Sequence, residues 1–141
     1  MSTAYIPAEL RRFVATRAKQ RCEYCLMAES ESFAPMEVDH IVAQKHGGAT
    51  VASNLAYCCP LCNKHKGSDV ASYDPETGAL TPLFHPRHDH WQEHFQVYRD
   101  GQIWPQTAVG RVTVTILQLN RPERVKERQL LLAYNLWQLP E

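Results

Sequence analysis

The sequence predicts a single α+β domain over residues 1–141, on three observations. Residues 36–42 alternate apolar and polar side chains and include β-branched residues, which is typical of a short strand. Residues 60–66 begin with proline and precede a glycine, which predicts a short helix. Two Cys-x-x-Cys pairs, at positions 22 and 25 and at 59 and 62, enter this region from either side. Residues 54–57 fit a second short strand or an irregular approach to the helix, and the expected order is strand, loop, strand, helix.

The composition fits one globular domain and excludes several classes of protein. An apolar content of 44% over 141 residues is enough for one hydrophobic core. Fifteen basic and fifteen acidic side chains balance, so the overall charge does not indicate a nucleic-acid or membrane partner. No apolar run approaches the roughly 20 residues that cross a bilayer. Because the first residues also lack the features of a secretory signal, we expect a cytoplasmic protein.

Residues 7–20 are predicted to form an N-terminal helix. Proline stands near its first position, and Leu10, Phe13 and Val14 mark one apolar face. Its charges are mostly basic, and two interpretations are open: a surface that follows a phosphate backbone, or an ordinary solvated face. The basic residues are Arg11, Arg12, Arg17, Lys19 and Arg21.

Four of the five cysteines predict a structural zinc site. Disulfides are rare in the expected reducing compartment, whereas thiolates from two Cys-x-x-Cys pairs can close a tetrahedron around Zn²⁺. The alternatives are an accidental cluster and a redox motif, and the redox motif would need one pair at a helix start within a βαβ pattern. The remaining Cys58 is interpreted as a small buried hydrophobe, with a ligand role as its alternative. The predicted ligands are Cys22, Cys25, Cys59 and Cys62.

The C-terminal half is predicted to extend the core. Residues 73–78 are rich in turn formers, and residues 95–104 predict a hairpin around Asp-Gly. Residues 107–119 show both helical and strand periodicity, and we favour a helix. Asn120 and Glu123 fit a capping box that opens a last helix reaching Trp137. The leucine-rich face of that helix leaves the oligomeric state open.

Four histidines within residues 85–94 are interpreted as packing and surface residues. Two of them have a spacing that suits a metal, but the glutamate of a zinc-protease helix is not in place.

An ordered set of residues makes the sequence recognisable. It runs Val38-Asp-His-Ile-Val, Gly47-Gly, Asn54-Leu and Cys59-Pro-Leu-Cys-Asn-Lys-His-Lys-Gly67. This set resembles the HNH endonucleases, the zinc-stapled branch of the ββα-metal nuclease fold. The similarity covers about a third of the chain, residues 22–67. It implies an HNH core with a four-cysteine zinc site, an N-terminal helix before it and an α+β extension over residues 68–141.

The resemblance implies a role for each matching residue. His40 matches the general base, which takes a proton from the attacking water. Asn54 matches the residue that fixes the loop and the histidine backbone. Asp39 and Asn63 match the ligands of a catalytic Mg²⁺ or Mn²⁺. Ala43 stands where the family frequently has proline, which concerns the stiffness of the loop.

Elementary chemistry supports these roles. Phosphodiester hydrolysis needs an activated water and a cation against the charge that develops on the phosphoryl oxygens. A neutral imidazole accepts a proton near pH 7, and carboxylate and amide oxygens suit a hard cation. Because neighbouring residues of a strand face opposite sides, Asp39 and His40 share a site only if the strand twists, bulges or ends there. The expected DNA contacts are Arg11, Arg12, Lys19 and Lys66, the last on the Asn63 face of its helix.

We therefore expect a metal-dependent DNA endonuclease with a histidine base and one divalent ion. The resemblance implies products with a 5′ phosphate and a 3′ hydroxyl. The first alternative is a non-catalytic zinc-stabilised module that binds nucleic acid, and the second is a secreted toxin nuclease.

Overall fold

A computed structural model describes residues 5–139 and divides the chain into two compact units, with the boundary between Val70 and Ala71. Compactness does not decide whether the units fold independently, so the single domain stays a prediction. Among the described residues, none of the helices is long and apolar enough to cross a bilayer. The first unit contains α1 (Ala8–Arg17), β1 (Glu37–His40), β2 (Leu55–Cys58) and α2 (Pro60–Lys66). The second contains β3 (Ala71–Tyr73), β4 (Leu80–Pro82), α3 (Trp91–His94), β5 (Phe95–Val97), β6 (Ile103–Pro105), α4 (Ala108–Ile116) and α5 (Pro122–Ala133).

The first unit has the predicted order of strand, loop, strand and helix, and the α+β fold class is confirmed. Strands β1 and β2 are antiparallel, and their register pairs Glu37 with Cys58 and His40 with Leu55. Helix α2 begins at a proline, whose missing N–H would have no partner in the first turn anyway. It ends before Gly67, whose positive φ of 53° takes the chain out of the helix.

Helix α1 packs on the strand pair, but it is shorter than predicted and does not bury the whole of the predicted apolar face. Its Val14 is fully buried in a core cluster with Ile6, Leu55 and Tyr57. The helix ends early because residues 19 and 20 adopt positive φ. The prediction that Phe13 lies on the buried face is wrong, since its side chain is 52% exposed. The Arg17 guanidinium lies over that ring instead.

The second unit is built on two hairpins and three helices. The predicted hairpin is present as β5 and β6, and α4 confirms the helical interpretation of its segment, with Thr107 as its cap. The predicted turn at residues 73–78 lies between β3 and β4, two strands that the sequence analysis did not predict. Asp74 holds this turn, because its carboxylate accepts hydrogen bonds from the Glu76 N–H, the Thr77 hydroxyl and both nitrogens of the Arg111 fork.

The predicted cap of the last helix is wrong. Arg121 precedes α5, and no side chain among the described residues caps this helix. The Asn120 side chain instead accepts from the Ile103 N–H at 2.9 Å and donates to the Ile103 carbonyl at 2.8 Å. Helix α5 ends at Ala133, so Trp137 lies beyond it. An asparagine amide mimics a backbone peptide, and pairing with a distant strand has displaced the local cap.

Candidate active site and zinc centre

The four predicted zinc ligands come together. The sulfurs of Cys22, Cys25, Cys59 and Cys62 all lie within 4.8 Å of one another, and all four residues are buried. They form the one cluster of three or more potential ligands in the part of the chain that the structure describes, so the histidines of residues 85–94 do not make another. Cys58 is fully buried and lies outside the cluster, which agrees with its interpretation as a small buried hydrophobe.

The local geometry of the cysteines fits a zinc ion. In each pair, the N–H of the second cysteine lies 3.4 Å from the sulfur of the first, where it can stabilise a thiolate. Burial, with a smaller effect of Cys25 and Cys59, raises the pKa of Cys22 and Cys62, so a cation is needed to hold these two groups as thiolates. Zn²⁺ prefers four such ligands in a tetrahedron. The cluster can therefore hold a structural zinc ion.

Strand β1 and helix α2 face each other through two polar pairs. Glu37 and Asp39 lie two residues apart on β1 and so share one face of the strand. Asn63 and Lys66 lie three residues apart on α2 and so share one face of the helix. The Asn63 amide nitrogen donates to Oε2 of Glu37, and the Lys66 ammonium donates to Oδ2 of Asp39 at 3.1 Å.

The amide oxygen of Asn63 is an unusual atom in this arrangement. Asn63 is 5% exposed, and its Oδ1 is buried with no hydrogen-bond partner among the described residues. A buried polar oxygen without a partner is costly, and in native proteins an ordered water or an ion usually satisfies it. Carboxylate and amide oxygens are ligands of Mg²⁺. The unpaired oxygen therefore fits the cation that the resemblance implies at Asn63.

Asp39 and Lys66 form a buried ion pair. Their side chains are 3% and 2% exposed. The same ammonium lies 3.4 Å and 3.1 Å from the carbonyl oxygens of His40 and Ile41, so it joins α2 to the end of β1. Burial raises the pKa of Asp39, and the charge of Lys66 opposes this shift. The phosphate contact predicted for Lys66 stays a prediction. The burial of the Lys66 ammonium does not favour that contact.

His40 is the last residue of β1, so the strand ends where the sequence analysis required an end or an irregularity. Its side chain is 1% exposed, and Nε2 lies 2.8 Å from the Thr50 hydroxyl oxygen. Its Nδ1 is buried with no hydrogen-bond partner among the described residues. Burial lowers the pKa of His40, and the effect of nearby Asp39 is opposite. The neutral imidazole, the form that accepts a proton, is favoured.

Asn54 holds the loop that follows His40. Its Oδ1 accepts from the Val42 N–H at 2.9 Å, and its amide nitrogen donates to the carbonyls of Val42 at 3.0 Å and Ala49 at 2.9 Å. Gly48 is required in this loop, because a Cβ there would collide with the Val42 carbonyl. The side chain of Asn54 therefore closes the loop by backbone pairing.

We expect Asn54→Asp to lower the free energy of unfolding by about 1–3 kcal/mol. The new carboxylate has no N–H to donate, so its second oxygen would face two carbonyl oxygens. Urea denaturation followed by circular dichroism measures the change. Asn135→Asp, at an exposed position, is the control. Equal stabilities of the two variants would contradict the role of Asn54.

The predicted DNA contacts on the N-terminal segment are exposed. Arg11, Arg12 and Lys19 all face solvent, and the Nε atom of Arg11 also donates to the Ile6 carbonyl at 3.1 Å. Their contact with DNA stays a prediction. Arg17 has a structural role that the sequence analysis missed, since it donates to the carbonyls of Ala52 and Leu55 at 3.0 Å and 2.8 Å.

Two further residues of the site were also missed. Glu37 contacts Asn63, and Thr50 contacts His40. The alternation of the strand was a usable signal for Glu37, because it places this residue on the same face as Asp39. The sequence carried no comparable signal for Thr50, which reaches His40 only because the loop folds back.

The comparisons with known proteins agree with this geometry. Residues 22–69 match the family model described as HNH endonuclease, which confirms the resemblance and identifies this segment as an HNH domain. The segment holds the four-cysteine cluster, both strands of the first unit and α2. HNH domains are associated with nucleases and with nucleic-acid binding.

Among curated proteins, the chain is similar to the Septu protein PtuA of Bacillus mycoides (strain KBAB4). The two are 31% identical over 85 residues, which cover 53% of this chain and 12% of that protein. The chain therefore spans only a small part of the length of this relative. No solved structure matches the chain.

Proposed function

We propose that the protein is a metal-dependent endonuclease that hydrolyses phosphodiester bonds in DNA, with His40 as the general base. One divalent ion would be held by Asp39 and Asn63. The observation that carries this proposal is the buried Oδ1 of Asn63, which has no hydrogen-bond partner within residues 5–139. It lies on a helix whose Lys66 contacts both Asp39 and the His40 backbone. The match of this segment to the HNH family supports it.

In this proposal the His40 imidazole takes the proton of the attacking water. Burial favours its neutral form, and His40 follows Asp39 directly at the end of β1. The contact between Nε2 and the Thr50 hydroxyl limits rotation of the ring. A base held in one orientation can remove a proton without first reorganising, which general-base catalysis needs.

The oxygen atoms of Asp39 and Asn63 would hold Mg²⁺ or Mn²⁺. When bound, the ion supplies positive charge against the phosphoryl oxygens and the departing 3′ oxygen. Mg²⁺ usually keeps several waters and takes one or two carboxylates plus phosphate oxygens from a substrate. Two protein ligands therefore leave room for the substrate, and we expect the ion to bind best when DNA is present.

A non-catalytic module that binds nucleic acid is the second candidate. The observation in its favour is the ion pair between Asp39 and Lys66, in which an ammonium already neutralises the carboxylate. Such a pair would stabilise the HNH fold without any divalent ion. Both candidates require the four cysteines, but only the endonuclease requires cleavage.

A cleavage assay on supercoiled plasmid DNA tests the proposal. We expect the zinc-loaded protein to produce nicked or linear DNA with Mg²⁺ or Mn²⁺, and no product when neither ion is added. The products should carry 5′ phosphates, which ligation or end-labelling detects. A gel-shift assay on the same DNA separates the candidates. Binding without cleavage under either ion would contradict the proposed endonuclease and favour the module.

A further inference from the structure

We propose that Glu37 is a positioning residue that turns the amide oxygen of Asn63 toward the divalent ion. This inference rests on the proposed function, because it concerns how one ligand of that ion is oriented. Glu37 is the first residue of β1 and is partly buried, and Asn63 lies in α2 directly after the zinc ligand Cys62. The hydrogen bond between their side chains joins the strand to the helix.

The chemistry of the two side chains fixes the orientation of the amide. An asparagine amide has nearly the same shape in either of two orientations, so only its partners decide which end is the oxygen. An ionised carboxylate accepts hydrogen bonds and donates none. Glu37 can therefore pair only with the Asn63 nitrogen, since the flipped amide would bring two oxygens together. The Asn63 oxygen must then point away from Glu37.

This orientation leaves the oxygen as the end of the amide that a cation can use. A buried amide oxygen without a protein partner needs an ordered water or an ion. In the structure the nitrogen is paired, but Oδ1 is buried with no partner among the described residues. A hard cation requires the oxygen and is repelled by the N–H end. Glu37 thus presents the one atom of Asn63 that can be a ligand.

The position of Glu37 relative to Asp39 supports this role. The two carboxylates lie on the same face of β1, toward α2. They have different partners, an amide for Glu37 and an ammonium for Asp39. One face of a four-residue strand therefore supplies a proposed ligand and the residue that orients the other ligand.

The test compares Mn²⁺ binding with and without the Glu37→Gln substitution, in both cases in the His40→Ala background. Glutamine keeps the size and shape but adds N–H donors, so the flipped Asn63 amide becomes acceptable. We expect the apparent Mn²⁺ affinity to fall about 10- to 100-fold, the range found when residues that orient metal ligands are replaced. Electron paramagnetic resonance of free Mn²⁺ gives the affinity. Measuring it in the His40→Ala background with DNA bound keeps the DNA intact.

A reciprocal double variant tests the direction of the hydrogen bond. In Glu37→Gln with Asn63→Asp, the new amide donates and the new carboxylate accepts, which leaves a carboxylate oxygen for the ion. We expect this double variant to regain most of the Mn²⁺ affinity that Glu37→Gln alone loses. Zinc content and thermal unfolding midpoints of all variants verify that the fold is retained. Glu31→Gln, outside β1 and α2, is the control and should bind as the unchanged protein does.

Failure of this inference can be distinguished from failure of the proposed function. If the unchanged protein cleaves DNA and binds Mn²⁺, but Glu37→Gln binds Mn²⁺ equally well, the positioning role is overturned and the nuclease stands. A folded double variant that stays as weak as Glu37→Gln also overturns the role. If the unchanged protein neither cleaves DNA nor binds Mn²⁺ on it, the proposed function fails first, and this inference fails with it.

Discussion

Replacement of His40 by alanine is expected to lower the rate of DNA cleavage about 10²- to 10⁴-fold, the usual contribution of a positioned general base. The imidazole is the group that we propose to accept the proton of the attacking water. Alanine leaves the proposed cation ligands Asp39 and Asn63 in place, so DNA binding and Mn²⁺ binding should change little. The rate constant for loss of supercoiled plasmid measures the effect at saturating protein.

Two controls make this result specific to the base. His40 is buried, so its removal leaves a cavity that can destabilise the first unit. His40→Asn retains a polar side chain of intermediate size, and it should be nearly as inactive as the alanine variant while unfolding closer to the normal temperature. His46→Ala changes an exposed histidine in the loop that follows His40 and should cleave normally. Cleavage by zinc-loaded His40→Ala at the normal rate would refute the proposed mechanism.

Removal of zinc is expected to unfold the first unit, residues 5–70. The binding of structural Zn²⁺ contributes about 10–16 kcal/mol in zinc-finger peptides, as much as or more than the roughly 5–15 kcal/mol that stabilises a typical domain. The core of this unit is small, with one cluster around Val14 and Leu55. Without a cation, the four buried cysteines would lose the cross-link that joins the two pairs.

Cys59→Ser should reproduce the effect of a chelator. Cys59 lies at the start of α2, where its sulfur both joins the cluster and accepts the Cys62 N–H. The variant should lose stoichiometric zinc, measured by atomic absorption, and also the circular dichroism of the folded unit. Cys58→Ala is the matched control, because Cys58 is buried next to Cys59 but lies outside the cluster. A well-folded, zinc-free Cys59→Ser would show that the metal does not stabilise this fold.

The zinc centre and the candidate active site are coupled through α2. This helix begins after Cys59, which anchors it, and carries Asn63 and Lys66 on the face that contacts β1. Loss of zinc should therefore disrupt the proposed cation site together with the rest of the first unit. This dependence explains why the cleavage assays must compare proteins of equal zinc content.

Structural features that depend on residues close together in the sequence were predicted well. A proline start and a glycine stop located α2 at its observed bounds, and an Asp-Gly turn located the hairpin of β5 and β6. The spacing of the cysteines identified the four that come together. One turn of helix or one tight turn contains the whole cause of α2 and of the hairpin, and each Cys-x-x-Cys pair also lies within one turn. The local sequence was therefore sufficient to predict these features.

Predictions that depended on distant partners were incomplete or wrong. Asn120 had the local features of a helix cap, but Ile103, 17 residues away, binds its side chain. Phe13 fitted an apolar face, but the turn of α1 on the strands buries Val14 and exposes its neighbour. Local preferences of about 1 kcal/mol yield to packing and hydrogen bonds between segments.

By itself, the sequence determined β1, β2 and α2, the four cysteines that come together and the family of the segment. Each motif is short, and the order of the motifs along residues 22–67 identified the family. Only the tertiary structure decided how the ligands are oriented and paired. Glu37 meets Asn63 across 26 residues, and Asp39 meets Lys66 across 27. These contacts exist because the cysteine cluster and the antiparallel strands place α2 against β1. No short stretch of chain contains both partners of either pair.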